Sequence, residues 1–178
     1  MKQTFMIISI LVSIFLVACN NNTSNKDHLS NNKNENVKEL VQKYSERKFN
    51  GDQTASITSQ ELIITEKDGR EVVYDLPEDE FFVSIAPFIQ KTHPCENHSL
   101  TGCQGELVNE EFDVYIEDTN GNVVVDKKIT SYSNGFIDLW LPRNETFSVT
   151  IKHNGKTAQT EISTFKDDGT CITTMKLM

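Results

Sequence analysis

"EFDVYIEDTNGNVVV", residues 111–125, alternates apolar and polar side chains and then turns on an Asn-Gly pair. Phe112, Val114 and Ile116 lie two apart, the period at which side chains of a strand share one face. Asn120-Gly121 tolerates the positive φ angles of a tight hairpin, and residues 123–125 resume a β-branched, extended run. The rhythm continues downstream. Asn134-Gly135 leads into residues 136–141; Phe147, Val149 and Ile151 alternate; Asn154-Gly155 turns the chain into residues 156–165; residues 171–177 close it. Six or seven short strands with turn signals at this spacing predict an antiparallel β-sandwich.

Upstream the periodicity changes. Val37, Leu40, Val41 and Tyr44 recur at helical spacing and predict a short amphipathic helix ending near Phe49, closed by Asn50-Gly51. Residues 62–65 and 72–76 read as two strands joined by a hairpin turn at Lys67-Asp68-Gly69. Pro77 followed by Glu78, Asp79 and Glu80 fits a helix start. Phe81, Phe82, Ile85, Phe88 and Ile89 would give that second helix a thick apolar face, with Pro87 kinking or ending it. Such a face needs a cover, which a docking partner or a homodimer would supply. The expected fold class is therefore α+β. A small N-terminal helix–hairpin–helix region at 37–91 precedes an antiparallel β-sandwich at 92–178.

The N-terminus speaks to compartment. Lys2 precedes an apolar run at 5–17, then Leu16-Val17-Ala18-Cys19. This is the layout of a secretory signal, too short and wrongly flanked for a spanning helix. It also matches the bacterial lipobox, so residues 1–18 read as a lipoprotein signal peptide and Cys19 as the lipidation site. Residues 20–36, rich in Asn, Ser and Lys, read as a disordered tether that cannot bury enough surface to order itself. The expected location is extracytoplasmic, with acyl chains anchoring the protein to the bacterial cell membrane. A net charge of −9 argues against a nucleic-acid partner.

With Cys19 lipidated, three cysteines remain: Cys95, Cys103 and Cys171. An odd count in a secreted chain leaves a thiol without an internal partner or gives the cysteines another role. Two of them lie in "THPCENHSLTGCQGE", residues 92–106, a loop that also holds His93 and His98. On an extended C-terminal strand, Cys171, Thr173, Met175 and Leu177 share one face, within reach of that loop. Three thiolates complete a Cu(I) site unaided, whereas zinc wants a fourth ligand such as His93 or His98, and an iron–sulfur cluster usually needs four cysteines. A Cys95–Cys103 disulfide with Cys171 buried in the sandwich fits the same spacing. That alternative is a disulfide-stapled cell-surface binding module without metal.

Accessory roles stay open in the same way. His93 and His98 fit either nitrogen ligands for incoming Cu(II) or solvated loop side chains. Met175 fits a thioether ligand or a core residue. Glu106 fits a loop anchor or a proton acceptor. No Gly-rich phosphate loop and no nucleophile–base–acid spacing marks a catalytic residue.

His93-Pro94-Cys95, the run Gly102-Cys103-Gln104-Gly105-Glu106-Leu107 and Thr170-Cys171 together resemble the CueP family of bacterial extracytoplasmic copper-binding proteins. The likeness extends over "DLPEDEFFVSIAPFI", "EFDVYIED", "NGFIDLWLPR" and "CITTMKL". It implies that Cys95, Cys103 and Cys171 are Cu(I) ligands, and that the protein serves copper tolerance and handling. It further implies copper donation to an extracytoplasmic acceptor, or thiol-driven reduction of Cu(II) to Cu(I). The lipobox departs from the soluble periplasmic members, and partners known for those members do not carry over.

Overall fold

The computed structural model describes residues 26–28 (as backbone), 36–49 and 51–178, which carry twelve strands and one helix. The lipobox, Cys19 and Asn50 lie outside the described residues. Three sheets organise the chain. The first has five strands in the order β1 (Lys26–His28), β4 (Glu71–Asp75), β3 (Glu61–Thr65), β2 (Thr54–Ile57) and β6 (His98–Ser99). The second has four: β11 (Lys156–Ser163), β10 (Thr146–His153), β7 (Glu111–Asp118) and β8 (Val123–Thr130). The third joins β12 (Cys171–Ile172), β5 (Glu80–Ile85) and β9 (Ile137–Pro142). The helix α1 spans Val37–Ser45. The fold is thus mostly β and sandwich-like.

The opening stretch behaves as its alternation predicts. Phe112, Val114 and Ile116 of β7 are buried while their neighbours face outward. Gly121 takes φ +82°, and a bulge between Ile116 and Glu117 adjusts the register with β8. At the β10–β11 turn, Asn154 and Gly155 both have positive φ, 48° and 77°, as a two-residue hairpin requires. The hairpin expected around Lys67-Asp68-Gly69 forms as β3 and β4.

The helix expected after Pro77 does not form; residues 80–85 are strand β5. Phe81, Val83 and Ile85 point into the sandwich core with Phe112, Ile116, Phe147 and Val149. Phe82 points the other way, into a second core built by Val41 and Tyr44 of α1, Ile57, Leu62 and Leu100. A strand buried on both faces reads as a continuous apolar run, which periodicity does not separate from a buried helix. Phe81, Phe82 and Ile85 of the apolar face expected to dock or dimerise are therefore buried inside the protein, with Phe88 and Ile89 half-buried. Two further expectations need correcting. Helix α1 stops at Ser45 rather than near Phe49, because Arg47 turns left-handed (φ 61°). Residues 26–28 of the expected tether pair in parallel with β4.

Asp138, on β9, sits between the two layers and accepts hydrogen bonds from Ser45 Oγ of α1 (2.5 Å) and Ser84 Oγ of β5 (2.6 Å). Burial pushes its pKa from 3.8 up to about 6, with the two serine hydroxyls pulling it back only in part. A carboxyl with a raised folded-state pKa stabilises the fold most below its unfolded pKa, and that stabilisation is lost as pH rises through the folded value. The span corresponds to about 3 kcal/mol at 1.36 kcal/mol per unit. Denaturant unfolding of the wild-type protein at pH 4 and pH 7 should carry this pH-dependent loss, and Asp138→Asn should remove it. A variant with the same pH dependence would refute the assignment.

Candidate metal centre

The cysteines meet where β6 of the first sheet approaches β12 of the third. Cys171 opens β12, which pairs in parallel with β5 so that Cys171 lies opposite Ser84. Its N–H donates to the carbonyl of Glu96 (3.0 Å), stitching the start of β12 to the loop that carries Cys95. The same loop is held at its other end by Glu106, whose carboxylate accepts the N–H groups of Ile89, Gln90 and Lys91 at 2.7, 2.9 and 3.1 Å. Desolvation works against the charge on Glu106, but those backbone donors outweigh it and lower its pKa. Glu106 is thus the loop anchor of the two roles the sequence left open.

Cys103 sits on the turn after β6. Its N–H donates to the Ser99 carbonyl (2.9 Å), and Gly102 N–H to Ser99 Oγ (3.0 Å). The turn then leans on the loop before β9, with Gly105 N–H donating to Asn134 O at 2.7 Å. A Cβ at Gly105 would stand 2.4 Å from Gly135 O, so the close approach of the two backbones requires glycine. β6 is fixed in turn by Thr170, whose Oγ1 accepts His98 N–H (2.9 Å) and donates to Ile57 O (2.7 Å).

These contacts bring Cys95, Cys103, Cys171 and His98 together, with one ligand atom from each within 4.8 Å of the others. Cys103 Sγ lies 3.5 Å from Cys95 Sγ, and His98 Nδ1 lies 3.6 Å from Cys171 Sγ. Cys95 and Cys171 are joined as a disulfide with their Cα atoms 5.6 Å apart, and Cys103 is free. The staple expected from sequence, Cys95–Cys103, is therefore not the pair that forms. The Glu96–Cys171 backbone bond places the β12 cysteine beside Cys95, closer in space than seventy-six residues of chain suggest. Ala86 and Phe136 pack with Cys171 as an apolar floor, against which Cys95 and Cys103 lie half-buried. Sulfur donors over a dry floor favour a soft ion over magnesium or calcium.

His98 is fully buried, its ring 4.4 Å from Phe136 and 6.4 Å from Phe82. Burial first, then the charges of His93 and Arg47, push its pKa down to about 3, so the ring is neutral at neutral pH. Its Nε2 is buried without a hydrogen-bond partner. A solvated loop histidine does not describe this residue. One signal was available: His98 and Leu100 lie two apart, the spacing of residues on one strand face, and both are buried. His93 is half-buried with its ring 6.2 Å from Phe136, outside the four-ligand group. Met175 is buried in the sandwich core; Thr173 and Leu177 are buried too, although β12 itself ends at Ile172 rather than running on to Leu177.

The model of the family described as "Periplasmic copper-binding protein CueP" matches residues 35–176. A solved structure described as "Crystal Structure of S.CueP" superposes with a TM-score of 0.77 at 40% sequence identity, covering 82% of this chain and 90% of that one. No curated protein matches this chain.

Proposed function

The chain belongs to the CueP family of periplasmic copper-binding proteins, and from that premise we propose that it is an extracytoplasmic Cu(I)-binding lipoprotein that sequesters copper or delivers it. Cys95, Cys103 and Cys171 are the proposed ligands. The observation that carries the reading is the convergence of two cysteines of the 92–106 loop and Cys171 of β12, with the neutral His98, on one apolar floor.

Three thiolates match the softness of Cu(I) and accept its three-coordinate geometry. With one Cu⁺ they leave two net negative charges, and the neutral His98 adds none. Transfer to an acceptor protein proceeds by exchange of thiolates one at a time at the half-buried mouth formed by Cys95 and Cys103. Cu(II) reduction balances with the pairing seen here. Two thiolates each give one electron to a Cu(II) ion, the Cys95–Cys171 bond forms, and two Cu(I) ions result; turnover then needs an external thiol or other two-electron reductant. His98 as a fourth donor supports a second reading, a Cys₃His zinc site.

Anaerobic titration of the reduced protein with Cu(I), competed by a chromophoric chelator and repeated with zinc present, tests the function. Saturation at one equivalent of copper, undisturbed by zinc, is expected. Displacement by stoichiometric zinc would favour the second reading. Weak, unsaturable copper uptake would return the chain to a stapled surface module. We extend the proposal to the anchor, Cys19 lipidated after removal of residues 1–18, with the residues between Cys19 and β1 as its tether. Wild-type protein expressed in a bacterium should partition into a detergent phase, and Cys19→Ser should not; equal partitioning would sink the anchor.

A further inference from the structure

We propose that Arg47 is a positioning residue for the copper loop, a latch that runs from the end of α1 to the turn carrying Cys103. The inference rests on the Cu(I) reading above. Its first support is where Arg47 stands. Lys48 N–H bonds to Lys43 O (2.9 Å) and Arg47 N–H to Tyr44 O (3.0 Å), the paired bonds of a Schellman helix end. Arg47 occupies the position in that motif that takes a left-handed backbone, with φ 61°. Glycine is the usual residue there because a Cβ is disfavoured. An arginine held at such a place implies that its side chain offsets the strain.

The side chain's contacts supply the second support. Nη1 donates to the carbonyl of Thr101, and Nη2 donates to Cys103 O at 3.0 Å and to Gln104 Oε1 at 3.2 Å. The planar fork therefore holds the backbone on both sides of Cys103, a geometry that a lysine ammonium does not reproduce. Two residues back along α1, Ser45 donates to Asp138, which also accepts from Ser84, the residue in register with Cys171. The end of α1 thus reaches the Cys103 turn directly and, through Asp138, the strand β5 that pairs with Cys171.

The experiment compares the wild type with Arg47→Gly, Arg47→Lys and Cys103→Ser in two readouts. One is amide hydrogen exchange of the reduced apo-protein; the other is the rate of Cu(I) release to excess chelator. Arg47→Gly should speed exchange at the Gly102 and Cys103 amides and release of copper by roughly tenfold each, on the scale of losing a charge-assisted hydrogen bond. Its thermal midpoint should not fall, because glycine suits the left-handed position. Arg47→Lys should lie between. A purely structural role predicts the reverse, a lowered midpoint with unchanged release. Wild-type rates at the loop amides, or at copper release, in Arg47→Gly would overturn the proposal. If Cys103→Ser also binds Cu(I) as the wild type does, the copper reading itself has failed, and the amide exchange alone then decides whether the latch exists.

Discussion

Replacing any one of Cys95, Cys103 or Cys171 by serine lowers Cu(I) affinity by well over the roughly 100-fold that loss of a supporting residue around a metal site costs. A serine hydroxyl is a hard, protonated donor at neutral pH, so each substitution removes a soft ligand and its charge together. Two sulfurs remain in each variant, one short of the three-coordinate set. Cys95 and Cys103 face the mouth, and Cys171 is only 5% exposed on the floor. Cys171→Ser also leaves a buried hydroxyl facing Phe136 and Ala86, so its apo-protein should be the least stable of the three. Chelator competition on the reduced variants measures the loss. Retention of wild-type affinity by any one of them would remove that residue from the site and reduce the proposed ligand set to two.

Phe81→Ala and Phe82→Ala should each destabilise the protein by about 3–5 kcal/mol, the usual range for a fully buried phenylalanine. Both side chains have no exposed surface, yet they fill different cores from adjacent positions of β5. The stability of an ordinary domain is about 5–15 kcal/mol, so either change removes a large share. Their effects on copper should differ. Phe82 stands 6.4 Å from His98 and 5.2 Å from Trp140, whereas Phe81 points into the sandwich away from the cysteines. Phe82→Ala should therefore weaken Cu(I) binding at temperatures where it remains folded, and Phe81→Ala should not. Guanidinium unfolding with parallel copper titration checks both. A cost below about 1 kcal/mol for either phenylalanine would mean that its face of β5 is not packed as described.

The same strand marks where sequence reading succeeds and where it stops. β7, β10 and β11 each keep one face toward solvent, so their apolar residues alternate and the sandwich was legible from them. β5 is enclosed by two layers, its alternation erased, and its acidic lead-in mimicked a helix start. β2 and β6 hold four and two residues, too few for a period to register. At the site, the three cysteines were visible as residues, and their family resemblance gave them a common role. The Cys95–Cys171 pairing was not visible, because a backbone bond between Glu96 and Cys171 creates it across the fold. Arg47 was equally hidden: nothing in a lone arginine after a helix says that its guanidinium reaches three acceptors some fifty residues downstream.

The most direct measurement of the central claim is copper K-edge X-ray absorption of the reduced, Cu(I)-loaded protein. An edge for monovalent copper and a first shell of three sulfurs are expected, with fewer sulfurs in each serine variant. A shell of two sulfurs in the wild type, or one dominated by nitrogen and oxygen, would contradict the three-thiolate centre.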